Sequence, residues 1–516
     1  MVSTLSYDNQ ILNHKRETKE LAKRLLSDEI YHWLNKRGYY PESYVLPPCF
    51  QVIKHPETPK KYYSINRKGQ YNPELTECIR VHFPKTEYTD RSFGLIHPKI
   101  HNDIAYHIAF NWDEIVDAMI PETSQVISYT FSIPINSKTP GRIGLLRTGR
   151  LIYEFIEMVD NHIASIAYKY KYIIKADIKN FYPSIYTHSI AWAIHGKCYI
   201  RNGNRTNYSL IGNLLDKLFQ NANDGCTNGI PIGPVVSDIV AEIIASAVDK
   251  ELTNKLKDNN IEYQAVRFKD DYRILVNSES HAKKIIKLLQ SSLKEYNLEL
   301  SDEKTKVSLL PNGLFREWVS KYHIIHPKKQ KKYSWNEFRE LYLSVIEIDK
   351  QCPGTGVIDR FLADMINTKG NLKTTLSEYN LERVISMLIM LGTLRIKSFP
   401  KVMAILESML NSFGKNQKKQ IVEYLDQYLY SLSNDEDRNK YLISWISYFI
   451  VSNDLKSEIK FKPSFQDIIT KTVYNNKNNI FNQISDFQLF IGCKKISQKV
   501  SMIEHLAIFN PPSINP

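Results

Sequence analysis

Apolar positions recur at two different spacings along this chain, and the change of spacing divides it. Residues 10–36 carry Leu21, Leu25, Leu26, Ile30 and Leu34 at helical spacing, and the pattern stops at Gly38. From 38 to 128 the pattern is mixed, with many proline, tyrosine and lysine residues. This stretch is read as an N-terminal extension that merges into the next domain. A β-branched run, Tyr172-Ile173-Ile174, then leads into Lys175-Ala176-Asp177 and predicts a buried strand ending in a carboxylate. Gln264-Ala265-Val266 and Ile274-Leu275-Val276 predict the two arms of a β-hairpin. From about 340 onward the pattern is helical, with apolar clusters at Val384–Leu394, Val402–Leu410, Ile421–Leu432 and Tyr441–Val451. The step of roughly 20 residues makes two helices a unit of roughly 40, within the range of HEAT-type repeats. No sequence signature is shared between the units, so an irregular helical bundle is equally open.

The chemistry concentrates where the strands end. Arg267-Phe268-Lys269-Asp270-Asp271-Tyr272 places two adjacent aspartates at the tip of the predicted hairpin. Like charge at a tight turn is unfavourable unless a cation sits there. About 90 residues earlier Asp177 ends its strand and is followed by Ile178-Lys179-Asn180-Phe181-Tyr182-Pro183, where the proline opens a helix. Between them Gly229-Ile230-Pro231-Ile232-Gly233-Pro234 makes a rigid turn. Ser237 or Asp238 is expected to cap the apolar helix that runs from Ile239 to about Leu256. Carboxylates from separate strands suit two-metal phosphoryl transfer, with the ions about 3.5–4 Å apart. Oxygen donors favour Mg²⁺, with Mn²⁺ an alternative.

In that order these segments resemble a reverse transcriptase. Asp177 to Ile185 is similar to the first palm motif, Gly229 to Glu242 to the second, Phe268 to Asp271 to the aromatic-x-Asp-Asp box, and Leu298 to Thr305 to the fourth, over roughly 130 residues. The resemblance implies an α+β fold of fingers and palm, a right-hand polymerase, followed by an all-helical C-terminal domain that is thumb-like or an α-repeat. The expected divisions are 1–128 for the extension and part of the fingers, 129–315 for the core, and 340–516 for the helical domain. It also implies roles. Asp177, Asp270 and Asp271 would hold metal, with the backbone carbonyl of Ile178 completing a shell, and Lys304 would protonate the leaving pyrophosphate. Tyr182 stands where the family places an aromatic that blocks a ribose 2′-hydroxyl. Phe181, Ile178, Gly233 and Pro234 would line the nucleotide. Arg142 and Lys138, at the basic tips of a hairpin that begins at Phe131, are candidates for the triphosphate.

Three departures refine the resemblance. The second motif reads Pro231-Ile232-Gly233-Pro234 where Pro-Gln-Gly-Ser is common, which is similar to abortive-infection and other defence-associated bacterial enzymes. Lys269 stands where Ala, Met or Val is usual. No primer grip is evident after Pro311. The defence branch implies DNA synthesis without a supplied template, priming on a protein tyrosine or use of an associated noncoding RNA, and a homo-oligomer acting against phage.

Composition agrees with a polyanionic partner. The net charge is +13 and the pI about 9.1, so lysines and arginines can neutralise phosphates, including those of RNA, DNA or dNTPs. The 32 tyrosines can stack bases among basic residues, although most are expected to pack. The lysine-rich stretch Lys328, Lys329, Lys331 and Lys332 reads as a junction. Six cysteines at 49, 78, 198, 226, 352 and 493 form no CxxC pair, so neither zinc nor a disulfide framework is expected. With a polar N-terminus and no apolar run long enough for a bilayer, a cytoplasmic protein is expected. Two other readings compete. An RNA-dependent RNA polymerase shares the palm but must accept the 2′-hydroxyl, against Tyr182. A catalytically silent palm serving as an RNA-binding scaffold does not need all three carboxylates.

Overall fold

The computed structural model describes residues 7–85, 89–128, 130–135, 141–144, 159–325, 332–367, 372–478, 480–481 and 484–493. The chain divides into two compact units. The first comprises Met1–Pro41, Lys54–Arg80 and Phe93–Phe315, and the second Glu42–Ile53, Val81–Ser92 and Arg316–Pro516.

Strands β1 (Ile79–Pro84) and β2 (Asp90–Leu95) form a two-stranded hairpin. A five-stranded mixed sheet organises the first unit, from β3 (Ile127–Ser128), β4 (Tyr172–Asp177), β5 (Tyr263–Phe268), β6 (Asp271–Val276) and β7 (Lys306–Leu309). Its order is β3-β5-β6-β4-β7. Only β3 and β5 pair in parallel; β5–β6, β6–β4 and β4–β7 are antiparallel. Alternation along the strands sends neighbours to opposite faces. Ile174, Ala176, Ala265, Tyr272, Ile274 and Val276 join the main core, whereas Ile173, Val266 and Leu275 pack with Val159, Ile163 and Ile166 of the helical stretch 159–166.

The helices of this unit include α1 (Tyr7–Lys23), α2 (Ser27–Lys36), α3 (Pro98–Phe110), α4 (Trp112–Met119), α5 (Phe181–Ser184), α6 (His188–His195), α7 (Ile211–Asn221), α8 (Val235–Asp258) and α9 (Glu279–Glu295). The single helical pattern expected over 10–36 is two helices, because Ser27-Asp28-Glu29 starts a new first turn. Helix α8 also begins earlier than expected. Pro234 is its N-cap residue and no side chain caps it, so Ser237 and Asp238 lie inside the first turn rather than capping. The rigid Gly233-Pro234 turn sets that start.

Helix α8 is buried on nearly every side, and its sequence carries a polar stripe through that interior. Glu242, Ser246, Asp249 and Thr253 follow one another at intervals of four, three and four, and all are buried. Arg267 of β5 stands where its strand should carry an apolar residue, and it too is fully buried. Its guanidinium binds Glu242 through Nη2 at 2.8 Å and Nη1 at 3.0 Å, and Asp249 through Nε at 2.8 Å. The hydroxyl of Tyr272 donates to Asp249 at 2.7 Å, and that of Ser128 donates to Glu242 at 2.7 Å. Burial raises the Asp249 carboxyl above its ordinary range, opposed by the Arg267 charge.

The second unit is helical: α10 (Glu317–Ile325), α11 (Trp335–Gln351), α12 (Val357–Asp364), α13 (Glu378–Leu394), α14 (Phe399–Ser412), α15 (Lys415–Ser433), α16 (Glu436–Ser452) and α17 (Ile468–Asn475). The apolar clusters read from the sequence fall on α13 to α16. The segments 42–53 and 81–92 belong to this unit. Tyr441 donates to the Tyr44 carbonyl at 2.6 Å, Phe83 packs edge-on against Tyr441, and Ile491 N–H donates to the Cys49 carbonyl at 2.9 Å. The α+β core and the helical C-terminal region therefore both match the expected fold class.

Two outcomes are expected from the buried charges. Replacing Arg267 by Met leaves Glu242 and Asp249 without a counter-charge, a change that costs about 3–5 kcal/mol. Urea unfolding should show that loss, and an unchanged midpoint would mean the network does not hold the hairpin. Glu407 of α14 is buried with Asn453 as hydrogen-bond partner at 3.1 Å, and burial pushes its carboxyl from 4.5 up to about 7. A raised carboxyl contributes stability below its unfolded value near 4.5 and loses it as pH rises through about 7. Glu407→Gln should flatten the dependence of Tm on pH in that window; an identical slope would show that Glu407 does not titrate there.

Candidate active site

The site is built by strand register. β4 and β6 pair so that Asp177 faces Asp271, and β5 and β6 pair so that Phe268 faces Asp271. That leaves Lys269 and Asp270 as a two-residue turn, with Lys269 in the left-handed region at φ +53°. Such turns normally take glycine at a positive φ. The turn is tied at several points. Arg267 Nη1 donates to the Lys269 carbonyl at 2.9 Å, Lys269 N–H donates to Thr130 Oγ1 at 2.9 Å, and Ile178 N–H donates to the Asp270 carbonyl at 3.2 Å. The chain after Leu298 runs beside β4, with Lys179 N–H donating to the Glu299 carbonyl at 2.8 Å and Ser301 N–H to the Asp177 carbonyl at 2.8 Å. That course delivers Lys304, whose Nζ lies 2.8 Å from Asp177 Oδ2.

Asp177, Asp270, Asp271 and Lys304 thus converge from separate stretches of sequence. Their electrostatics record the crowding. Burial raises Asp270, and the Asp177 charge adds to it. Asp271 is exposed at the surface, yet the protein packed around it, then Asp270, then Asp177 push it up to about 7. For Lys304 burial acts downward, but its hydrogen bond to Asp177 and the charges of Asp270 and Asp271 leave it raised. Three carboxylates face one directly bonded ammonium, so the cluster carries excess negative charge. Among the described residues no three His, Cys, Asp or Glu side chains form a ready cage around one point. The donor set fits a divalent cation nonetheless: it is all oxygen, it suits Mg²⁺ or Mn²⁺, and a cation would relieve the repulsion that raises Asp270 and Asp271. Asp177, Asp270 and Asp271 would hold it, and the Ile178 carbonyl is the expected further donor.

Asn180, at φ +46°, turns the chain so that α5 returns toward the second motif. Tyr182 is half-buried there. Its carbonyl accepts from Ile230 N–H at 3.1 Å and its hydroxyl donates to Asp238 Oδ1 at 2.5 Å. Lys269 Nζ stands 3.9 Å from the same Asp238 oxygen.

The remaining candidates separate from this group. Ile178 and Phe181 place their side chains in the core. Gly233, at φ +125°, is buried, and a Cβ there would meet Pro41 Cβ at 2.9 Å. Pro234 is buried as the N-cap of α8. Arg142 is exposed beside the antiparallel Ile135–Ile143 bridge, and the nearby Gly144 carbonyl accepts from Trp33 Nε1 at 3.2 Å. No described contact joins Arg142 to the carboxylates. Lys138, Lys328, Lys329 and Lys331 lie outside the described residues. Sequence reading missed Asp238 as the partner of Tyr182, and it missed Arg267, Glu242 and Asp249. The polar stripe at helical spacing on α8 was the signal for Glu242 and Asp249.

Residues 135–337 match the family described as reverse transcriptase (RNA-dependent DNA polymerase). No curated protein matches the chain. Among solved structures, apo telomerase from Candida tropicalis truncated from its C-terminal domain is similar at 16% identity and TM-score 0.32, covering 47% of this chain and 52% of that one. This chain therefore spans about half the length of that relative. Apo telomerase from Candida tropicalis is similar at 13% identity and TM-score 0.34, over 82% of this chain and 70% of that one. Telomerase from Candida albicans, in complex with a TWJ fragment of telomeric RNA, is similar at 12% identity and TM-score 0.29, over 79% and 65%. The chain carries a reverse transcriptase domain, the domain of a nucleotidyltransferase, and its carboxylate cluster lies inside the matched span.

Proposed function

We propose that this protein is a metal-dependent DNA polymerase that adds dNTPs to a growing strand, with Asp177, Asp270 and Asp271 as the reacting centre. The observation that carries the reading is the convergence of these three carboxylates and Lys304 at one hairpin tip. A bound divalent cation would supply Lewis-acid polarisation of the phosphoryl group and favour the ionised attacking hydroxyl. The chain's own residues do the rest. The register of β4 against β6 fixes the spacing of Asp177 and Asp271. Lys304 keeps its proton beside Asp177, where the departing pyrophosphate would need one. The Tyr182 ring occupies the space beside the sugar C2′ and rejects ribonucleotides.

The defence role is part of the proposal. The Pro231-Ile232-Gly233-Pro234 turn supports membership of the defence-associated branch, with activity against phage in the cytoplasm. In that reading the partners are dNTPs and RNA or DNA, synthesis starts on a protein tyrosine or an associated noncoding RNA, and the helical C-terminal unit closes over the growing strand in a homo-oligomer.

Purified protein should incorporate dNTPs with Mg²⁺ or Mn²⁺ and stop when EDTA is added. The double variant Asp270→Ala, Asp271→Ala should lose at least about a thousandfold in rate with its circular dichroism unchanged, because no other carboxylate replaces the pair. Synthesis at the original rate by that variant would end the assignment. Tyr182→Ala should raise the rNTP-to-dNTP incorporation ratio by opening room at C2′. A ratio that stays put would make Tyr182 a packing residue and reopen the RNA polymerase reading.

A further inference from the structure

The second motif holds Tyr182 at both ends. The Tyr182 carbonyl accepts from Ile230 N–H at 3.1 Å, in the turn that precedes α8, and the Tyr182 hydroxyl donates to Asp238 Oδ1 at 2.5 Å, in the first turn of α8. The ring is further packed edge-on against Phe181, centroids 5.5 Å apart. Asp238 itself is held in place. It sits near the N-terminus of a 24-residue helix, its N–H donates to the Pro234 carbonyl, and Lys269 Nζ stands 3.9 Å from the oxygen that receives the tyrosine. A hydrogen bond to an ionised carboxylate is short and strong. A phenol tied in this way cannot swing aside without breaking the bond.

We propose that Asp238 is a specificity-determining positioning residue: by fixing the Tyr182 hydroxyl it sets how closely the ring approaches the sugar, and so how strongly ribonucleotides are rejected. The inference rests on the reading of Tyr182 as the residue beside the sugar C2′. It deepens that reading, because a steric barrier discriminates only as well as it is held in place. An unanchored ring can move aside for a 2′-hydroxyl at small cost; an anchored one must break a charge-assisted hydrogen bond first. Lys269 enters the same device from the catalytic turn. Its ammonium balances Asp238 and links the position of the ring to the turn that carries Asp270.

The test compares kcat/KM for rNTPs with that for dNTPs in the full-length protein, with Mg²⁺ and again with Mn²⁺. The variants are Asp238→Ala, Asp238→Asn, Tyr182→Phe, Tyr182→Ala and the double Tyr182→Phe, Asp238→Ala. Tyr182→Phe keeps the ring and removes only its anchor, so it should raise the rNTP-to-dNTP ratio about tenfold, the equivalent of a hydrogen bond to a charged group at the low end of its range. Asp238→Ala should raise it to the same degree, and the double variant no further, because both changes remove one interaction. Asp238→Asn keeps an oxygen acceptor and should restore most of the discrimination. Tyr182→Ala marks the ceiling. If Tyr182→Ala raises the ratio while Tyr182→Phe and Asp238→Ala leave it within about twofold of the parent, well short of the loss of a charged hydrogen bond, Tyr182 bars ribonucleotides but Asp238 does not position it, and the inference is overturned. If Tyr182→Ala also leaves the ratio unchanged, the assignment of Tyr182 to the sugar fails and takes the inference with it. Should Asp238→Ala not fold, Tyr182→Phe decides alone, since it removes the same bond without emptying the site.

Discussion

A guanidinium with no access to water fixes the geometry of this site. Arg267 is buried between the sheet and α8, bound to Glu242 and to Asp249 two turns further along that helix. Taking these charges out of water is costly, and hydrophobic residues of equal volume would serve stability as well or better. What the ion pairs add is register. A slip of β5 by one residue would turn Arg267 to the opposite face of the sheet and strand two carboxylates in the core. The pairing of Phe268 with Asp271, and of Asp271 with Asp177, therefore has one low-energy arrangement. The same guanidinium reaches the Lys269 carbonyl, so the constraint extends from the buried helix to the turn that carries Asp270.

Helix α8 serves as a common ruler. Its first turn holds Tyr182 through Asp238, and its middle holds the β5–β6 hairpin through Glu242 and Asp249. The distance between the aromatic ring and the carboxylates is thus set along one rigid element, at about 1.5 Å per residue, rather than through loops. That explains why a helix so thoroughly buried keeps a polar stripe: Glu242 and Asp249 on it each end in a contact to the strands that carry the site.

The parts of this architecture that were legible in the sequence are those with a short-range signature. Adjacent Asp270 and Asp271 between two apolar runs announce a hairpin, because like charges at a tight turn have no local reason to be there. The alternation Ile173–Ile174 and Ala265–Val266 shows in the two opposed faces of the sheet. Partners were not legible. Arg267 meets Glu242 and Asp249 across 25 and 18 residues, and although their helical spacing marks a polar stripe, nothing in it points to Arg267 as the partner. Within 38–128, α3 and α4 carry apolar residues at helical spacing that the mixed composition hid, whereas between 38 and 97 much of the order comes from side chains that satisfy backbone groups. Asp103 accepts from the N–H groups of Tyr62 and Tyr63, Asn102 donates to the Lys60 carbonyl, and Asn221 donates to the Pro73 carbonyl. Segments 42–53 and 81–92 belong with the C-terminal helices through contacts such as Tyr441 to Tyr44, 397 residues apart, which no local pattern encodes.

Lys269 joins the two halves of the site. A residue with a Cβ in the left-handed region costs about 1–2 kcal/mol relative to an ordinary backbone conformation. Glycine or asparagine would avoid most of that. Lysine stands where the family usually carries a small or apolar residue, so its side chain must offset the strain. The structure shows two things it does. Its ammonium approaches Asp238 in the second motif, and its positive charge lowers the tendency of Asp270 to take up a proton, against burial and the Asp177 charge. One cation at the hairpin tip therefore acts on both halves, steadying the carboxylate that holds the tyrosine and moderating the repulsion among the carboxylates. An unusual residue in the third motif and an acidic one in the second are explained together, as a matched pair between the turn and α8.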